Sequence, residues 1–248
     1  MNTDNTDQTD LHGFFIRGYP SNPHHLRSNK IYKHMNHLSV TEIKENPIFP
    51  QGLHDAFSGA SFHELNTINW PEYPYCPQVK FSMLWSADHL YLMFKAREQH
   101  ARAVTDYPNG PVWEDSCCEF FCSFDDTGYY NLETNCIGIH LLGWTAPGKE
   151  QVRGDEKVMG QLQSWSSLGN KAPLSLEGDV EWELLVSVPA SAFFMHPGLE
   201  FKKGMQFRAN FYKCGDKCKT PHFLSWRPIQ APQPDFHLPG FFGEVVLG

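Results

Sequence analysis

The run VWEDSCCEFFCSFDDTGYYNLETNCIG, residues 112 to 138, constrains the fold more than any other part of the chain. It holds two strand-like stretches hinged on Asp125-Asp126-Thr127-Gly128, a turn-forming group in which aspartate tolerates unusual backbone angles. Side chains alternate between faces along a strand, so Cys117, Glu119 and Phe121 share one face of the first stretch, and Asn131, Glu133 and Asn135 share one face of the second. Cys118 and Cys122 then fall with Phe120 and Phe124, where free cysteine serves as a small hydrophobe. Polar groups with fixed directions gather on one side of a sheet, as either a solvated face or a recognition surface.

The same period of two recurs downstream. VKFSMLW alternates through Val79, Phe81, Met83 and Trp85, Ser86-Ala87-Asp88 turns the chain, and HLYLMFKARE returns as the second arm of a hairpin. Further strands are predicted near 137–144, 156–165, 180–188, 205–213, 222–227 and 243–247. Val180, Trp182, Leu184, Val186 and Val188 alternate strictly and belong in a core, and Pro189 ends that strand. In MQFRANFYK, Met205, Phe207, Ala209 and Phe211 face one way and Gln206, Arg208, Asn210 and Tyr212 the other. About ten short strands separated by Gly, Pro, Asn and Asp turns, with no long amphipathic helix, predict an all-β protein: a β-sandwich of jelly-roll type with an irregular N-terminal extension. The expected division is 1–50 for the extension and 51–248 for the sandwich.

The 248 residues carry a formal net charge of -8 and no cluster of lysine and arginine, which argues against nucleic acid or an anionic membrane as partner. No apolar run is long enough to span a membrane. The opening MNTDNTDQTD has neither the basic nor the apolar segment of a signal peptide. Seven cysteines, two of them adjacent, make a poor disulfide framework and favour a reduced, cytoplasmic setting, although a trimmed exported chain would read the same.

Several constellations could carry chemistry. Glu119, Asn131, Glu133, Asn135, Arg208 and Asn210 supply the mixture of donors and acceptors that sugar hydroxyls need. Trp113 and Trp226 flank these strands and could stack on the apolar face of a pyranose; core packing is the alternative for each. Glu119 and Glu133 could instead be surface carboxylates, solvated or ion-paired with Arg208, or the carboxylate pair of a glycoside hydrolase, which would stand about 5–9 Å apart. A β-sandwich whose face binds another protein is a third reading. Cys214, Cys218 and His222 form C-x3-C-x3-H, a weak metal candidate that departs from zinc-finger spacing. The dinucleotide, Walker, HExxH and GxSxG motifs are all missing from the sequence.

Six segments, taken in order, resemble the carbohydrate-binding module family 9-like proteins of Bacteroides-type bacteria. They are INWPEYPYCPQVKFSMLW, VWEDSCCEFFCSF, YYNLETNCIG, RANFYKCGD, PHFLSWRPI and PDFHLPGFFGEVVL, which together cover most of residues 68–248. The resemblance implies a jelly-roll sandwich, with structural calcium as in the xylanase-attached modules. It also implies an oligo- or polysaccharide partner, xylan- or glucan-derived, whose terminal or reducing-end sugar is clamped between Trp113 and Trp226 with Glu119 and Asn210 as hydrogen-bonding partners. Arg208 and Asn135 are added by the pattern of this chain. The Cys-rich NFYKCGDKC segment and the long N-terminal extension depart from those modules.

Overall fold

Alternating sequence becomes strand throughout the computed structural model, which describes residues 37–248. In chain order the strands are β1 (Leu38–Glu42), β2 (His63–Glu64), β3 (Thr67–Ile68), β4 (Gln78–Ser86), β5 (His89–Ala103), β6 (Cys117–Ser123) and β7 (Tyr129–Asn135). They continue as β8 (His140–Thr145), β9 (Val152–Arg153), β10 (Gln163–Ser166), β11 (Leu174–Pro189), β12 (Gln206–Cys214), β13 (Phe223–Ser225) and β14 (Gly243–Leu247). Two short helices accompany them, α1 (Gln51–Ala56) and α2 (Glu156–Met159). The second helix replaces part of the strand predicted near 156–165, because the Asp155 carboxylate accepts from Val158 N at 2.8 Å and caps a turn there.

A rear sheet runs β10, β11, β5, β4 and a front sheet runs β14, β12, β6, β7, β8, β9. The first strand joins them, pairing in parallel with β14 through Leu38–Val40 and with β4 through Thr41 and Glu42. It lies upstream of residue 51, where the sandwich was expected to begin; residues 1–36 of the expected extension lie outside the described residues.

Between the sheets lies the main core. The rear sheet contributes Phe81, Trp85, Leu92, Phe94, Trp182, Leu184 and Val186, and the front sheet contributes Phe120, Leu132, Phe207 and Phe211. Phe81 and Phe211 stack across the interface with ring centroids 3.8 Å apart. Each sheet is also covered on its outer face. Leu53 and Phe57 of the α1 segment pack on Leu84, Tyr91 and Met93 of the rear sheet. Trp70, Val112, Ile229, Phe236 and Phe242 pack on Cys117, Phe121 and Tyr212 of the front sheet. Alternation therefore sorts side chains between two buried environments, not between core and water.

One polar cluster spans the main core. Lys213 Nζ, fully buried, lies 3.1 Å from Glu98 Oε2 of β5, 2.7 Å from His222 Nε2 and 3.0 Å from Cys214 O. Trp182 Nε1 donates to Glu98 Oε1 at 2.7 Å. An ammonium has donors only, so His222 Nε2 accepts and its Nδ1–H donates to Thr220 O at 2.9 Å. Burial, and then the Lys213 charge, hold this imidazole well below its ordinary pKa and keep it neutral.

Removing one member of a buried ion pair strands the other charge, at a cost of about 3–5 kcal/mol. Lys213→Met should lose stability on that scale in chemical denaturation, and the double change Lys213→Met/Glu98→Gln should recover more than half of it. An unchanged midpoint for Lys213→Met would show that the pair does not hold the sheets together.

Candidate functional site

The pairing of β12, β6 and β7 lines up the polar residues of the outer front face. Glu119 stands opposite Glu133 on one side and Tyr212 on the other. Phe121 stands opposite Asn131 and Asn210, and Cys117 opposite Asn135 and Cys214. All of these side chains are buried under the outer cover. The Cys214 thiol donates to Glu119 Oε1 at 2.9 Å. Asn131 Nδ2 donates to Glu133 Oε1 at 2.8 Å, and Gln151 Nε2 donates to Asn131 Oδ1 at 2.9 Å, so a polar string runs from the half-buried Gln151 inward to the carboxylates. Glycine at 143 makes room for it: a Cβ there would lie 2.7 Å from Asn131 Oδ1 and 2.5 Å from the Gln151 side chain. Burial, and then the charge of Glu133 directly opposite, raise the Glu119 pKa well above the ordinary carboxylate range.

Trp113 sits in the short 3-10 turn Val112–Glu114 at the edge of this face, half-buried against the outer cluster. Asp115, which the sequence reading passed over, holds that turn. Its fully buried carboxylate accepts from Val104 N, Thr105 N and Asn135 Nδ2, each at 3.0 Å, and from Arg102 Nη1. The only sequence signal was parity: stepping back by two from Glu119 and Cys117 reaches Asp115. The Arg153 guanidinium lies 5.9 Å from the Trp113 ring centroid, within cation–π range. The Trp113 carbonyl accepts from Asp216 N at 3.2 Å, with the Cys214 Sγ 3.5 Å away, tying the turn to the end of β12.

The other expected site residues make the following contacts. Asn135 gives both amide hydrogens away, to Asp115 and to Thr105 O at 2.9 Å, and its oxygen accepts from Ile139 N. Asn210 donates to Arg227 O at 3.1 Å, and its oxygen accepts from Phe211 N and Arg227 N. Both asparagines organise loops. Arg208 is exposed, opposite Ser123 and paired with Asp126 at 3.5 Å; four residues of strand, about 13 Å, separate it from the level of Glu119. Asp125, the other turn aspartate, accepts from Thr127 N and Oγ1.

Trp226 is turned the other way. Ser225 pairs with Tyr212, on the outer face, so the next residue points to the main core. There the Trp226 ring meets Phe81 and Phe211 edge-on, each at 5.8 Å, with Arg227 4.0 Å from its centroid. Trp113 and Trp226 thus join clusters on opposite faces of the front sheet. The C-x3-C-x3-H segment does not converge. Cys214 turns to Glu119, His222 to Lys213, and the Cys218 Sγ lies 3.5 Å from Ser116 Oγ. Among the described residues, the one convergent group of His, Cys, Asp or Glu donors is Cys117, Glu119 and Cys214. Two sulfurs and one carboxylate are not the oxygen-only set that calcium takes.

The family model described as carbohydrate-binding family 9 matches residues 52–247. A Bacteroides uniformis protein, provisionally described as carbohydrate-binding, is similar in structure with a TM-score of 0.80 and 39% identity, over 85% of this chain and 98% of that one. A family 9 carbohydrate-binding module from Caldicellulosiruptor kristjanssonii, solved with glucose, has the same fold at a TM-score of 0.56 and 11% identity, over 85% of this chain and 95% of the module. Its complex with cellotriose aligns with a TM-score of 0.56 and 12% identity, over 86% and 93%. No curated protein matches.

The Asp115 knot yields a direct test. Asp115→Asn turns an amide group toward donors that now meet a carboxylate, leaving buried hydrogen-bonding groups unmet at about 3 kcal/mol. Denaturation should register that loss, and amide hydrogen exchange at Val104 and Thr105 should accelerate more than exchange in β5. Unchanged exchange at these two amides would remove Asp115 from its role in holding the Trp113 turn.

Proposed function

The chain belongs to carbohydrate-binding family 9, and from that premise we propose that it is a non-catalytic receptor for a glucan- or xylan-derived sugar end, bound beside Trp113 on the outer front face. The observation that carries this reading is the polar string Gln151, Asn131, Glu133, Glu119 running inward on the same face as the Trp113 turn. An indole edge beside aligned acceptors and amides suits a sugar, whose ring has an apolar C–H face and a rim of hydroxyls. Glu119, whose Oε1 meets only a thiol, and Glu133, held by Asn131, both offer carboxylate oxygens as acceptors for hydroxyls. The glucose and cellotriose bound by the Caldicellulosiruptor module give the ligand class to try first.

Family 9 modules bind without turnover, so the Glu119/Glu133 pair is read as recognition and the hydrolytic alternative is not carried forward. Asn135, Asn210 and Arg208 serve the site indirectly by shaping its loops and strand end. Trp226 serves the core.

Titration of the protein with cello- and xylo-oligosaccharides, with free and with reduced ends, separates the two tryptophans. Trp113→Ala should weaken binding about 30-fold, the ~2 kcal/mol of a stacking anchor, at an unchanged unfolding midpoint. Trp226→Ala should cost about 3 kcal/mol of stability and leave affinity within a few-fold. If Trp226→Ala abolishes binding while the fold stays intact, the Trp113–Trp226 clamp is restored and the single-sided site is wrong.

A further inference from the structure

The described cysteines divide by environment. Cys118, Cys122 and Cys136 line the main core among apolar side chains, and Cys76 is exposed. Cys117 and Cys214 instead face each other across the β12–β6 pair, on the polar outer face, with the Glu119 carboxylate next to both. One donor atom from each of the three residues lies within 4.8 Å of the other two.

We propose that Cys117, Cys214 and Glu119 form a binding site for one thiophilic divalent ion, zinc or cadmium. A tetrahedral ion with bonds of about 2.3 Å to sulfur and 2.0–2.2 Å to oxygen holds its donors roughly 3.5–3.8 Å apart. The present spacing, at most 4.8 Å with one S···O pair already at 2.9 Å, is reached by side-chain adjustments of about an ångström. All three donors stand on paired strands inside a sheet, so the backbone that carries them is preorganised. Two thiolates and a carboxylate are a soft-to-borderline set, which selects zinc or cadmium over calcium or magnesium.

Without metal both sulfurs are thiols, as cysteine ordinarily is at neutral pH, and the Cys214 S–H donates to Glu119. Binding exchanges those protons for the cation: two S–H bonds break, two metal–sulfur bonds form, and two protons leave to solvent, with no change of oxidation state. Three protein ligands leave a fourth coordination position. This site is independent of the sugar reading, since it needs thiols and a sugar does not, although both draw on Glu119.

The test uses the full chain, reduced and stripped with chelator, titrated with cadmium and followed by the ultraviolet thiolate-to-cadmium absorption and by proton release. The expected result is saturation at one ion per chain with about two protons released, displaced competitively by zinc. Cys117→Ser and Cys214→Ser should each weaken binding at least 100-fold, whereas Cys218→Ser and Cys76→Ser should leave it unchanged. If the serine variants fail to fold, the cadmium-113 resonance of the unaltered protein decides: a position typical of two sulfur ligands supports the site, and one typical of none or one overturns it. Saturating absorption that survives Cys117→Ser/Cys214→Ser, or no absorption at one equivalent, also overturns it. Loss of oligosaccharide binding in Trp113→Ala with cadmium binding retained keeps this site separate from the sugar site.

Discussion

A slip of one residue between β6 and its neighbours would carry Glu119 into the space between the sheets and push Phe120 out of it. Both faces of the front sheet are buried, so such a slip would exchange the contents of two packed environments at once. The outer face would lose the carboxylate that meets the Cys214 thiol and stands opposite Glu133, and the main core could not take an ionised Glu119 without a partner. Register on these three strands is therefore held by two mismatches together, and it places Tyr212, Glu119 and Glu133 in one row.

The Lys213–Glu98 contact works in the same direction from inside. Lys213 shares parity with Phe211, so it leaves the front sheet on the main-core side, and Glu98 leaves the rear sheet to meet it. Buried ion pairs are weak evidence for net stability, because desolvation offsets much of their attraction. Their geometric consequence is firmer. With Trp182 on one carboxylate oxygen and His222 on the ammonium, the two sheets have one relative placement in which every partner is reached.

Alternation within a strand was legible in the sequence, and with it the core faces of β4, β11 and β12 and the outward set of Glu119, Asn131, Glu133 and Asn135. What could not be read was any relation carried by pairing between distant segments. Trp226 follows a three-residue strand whose register on β12 decides its face, and that register is invisible from PHFLSW alone. The first strand, in a stretch read as irregular, exists because β4 and β14 each offer it a parallel edge. Cys214 was grouped with Cys218 and His222 by closeness in sequence, whereas its sheet neighbour is Cys117, almost a hundred residues away. The family resemblance supplied the sandwich, which long-range pairing enforces across relatives.

Residue type alone does not tell how much hydrogen-bonding capacity a side chain has left. Asn135 and Asn210 have the chemistry that sugar sites use, yet Asn135 has no donor left to offer and the Asn210 oxygen already accepts twice. Glu119 differs, because the partner seen on its Oε1 is a thiol, a weak donor. A hydroxyl is a better donor to a carboxylate than S–H is, and a divalent cation displaces the thiol proton altogether. The weakness of that one contact makes Glu119 the exchangeable member of this face.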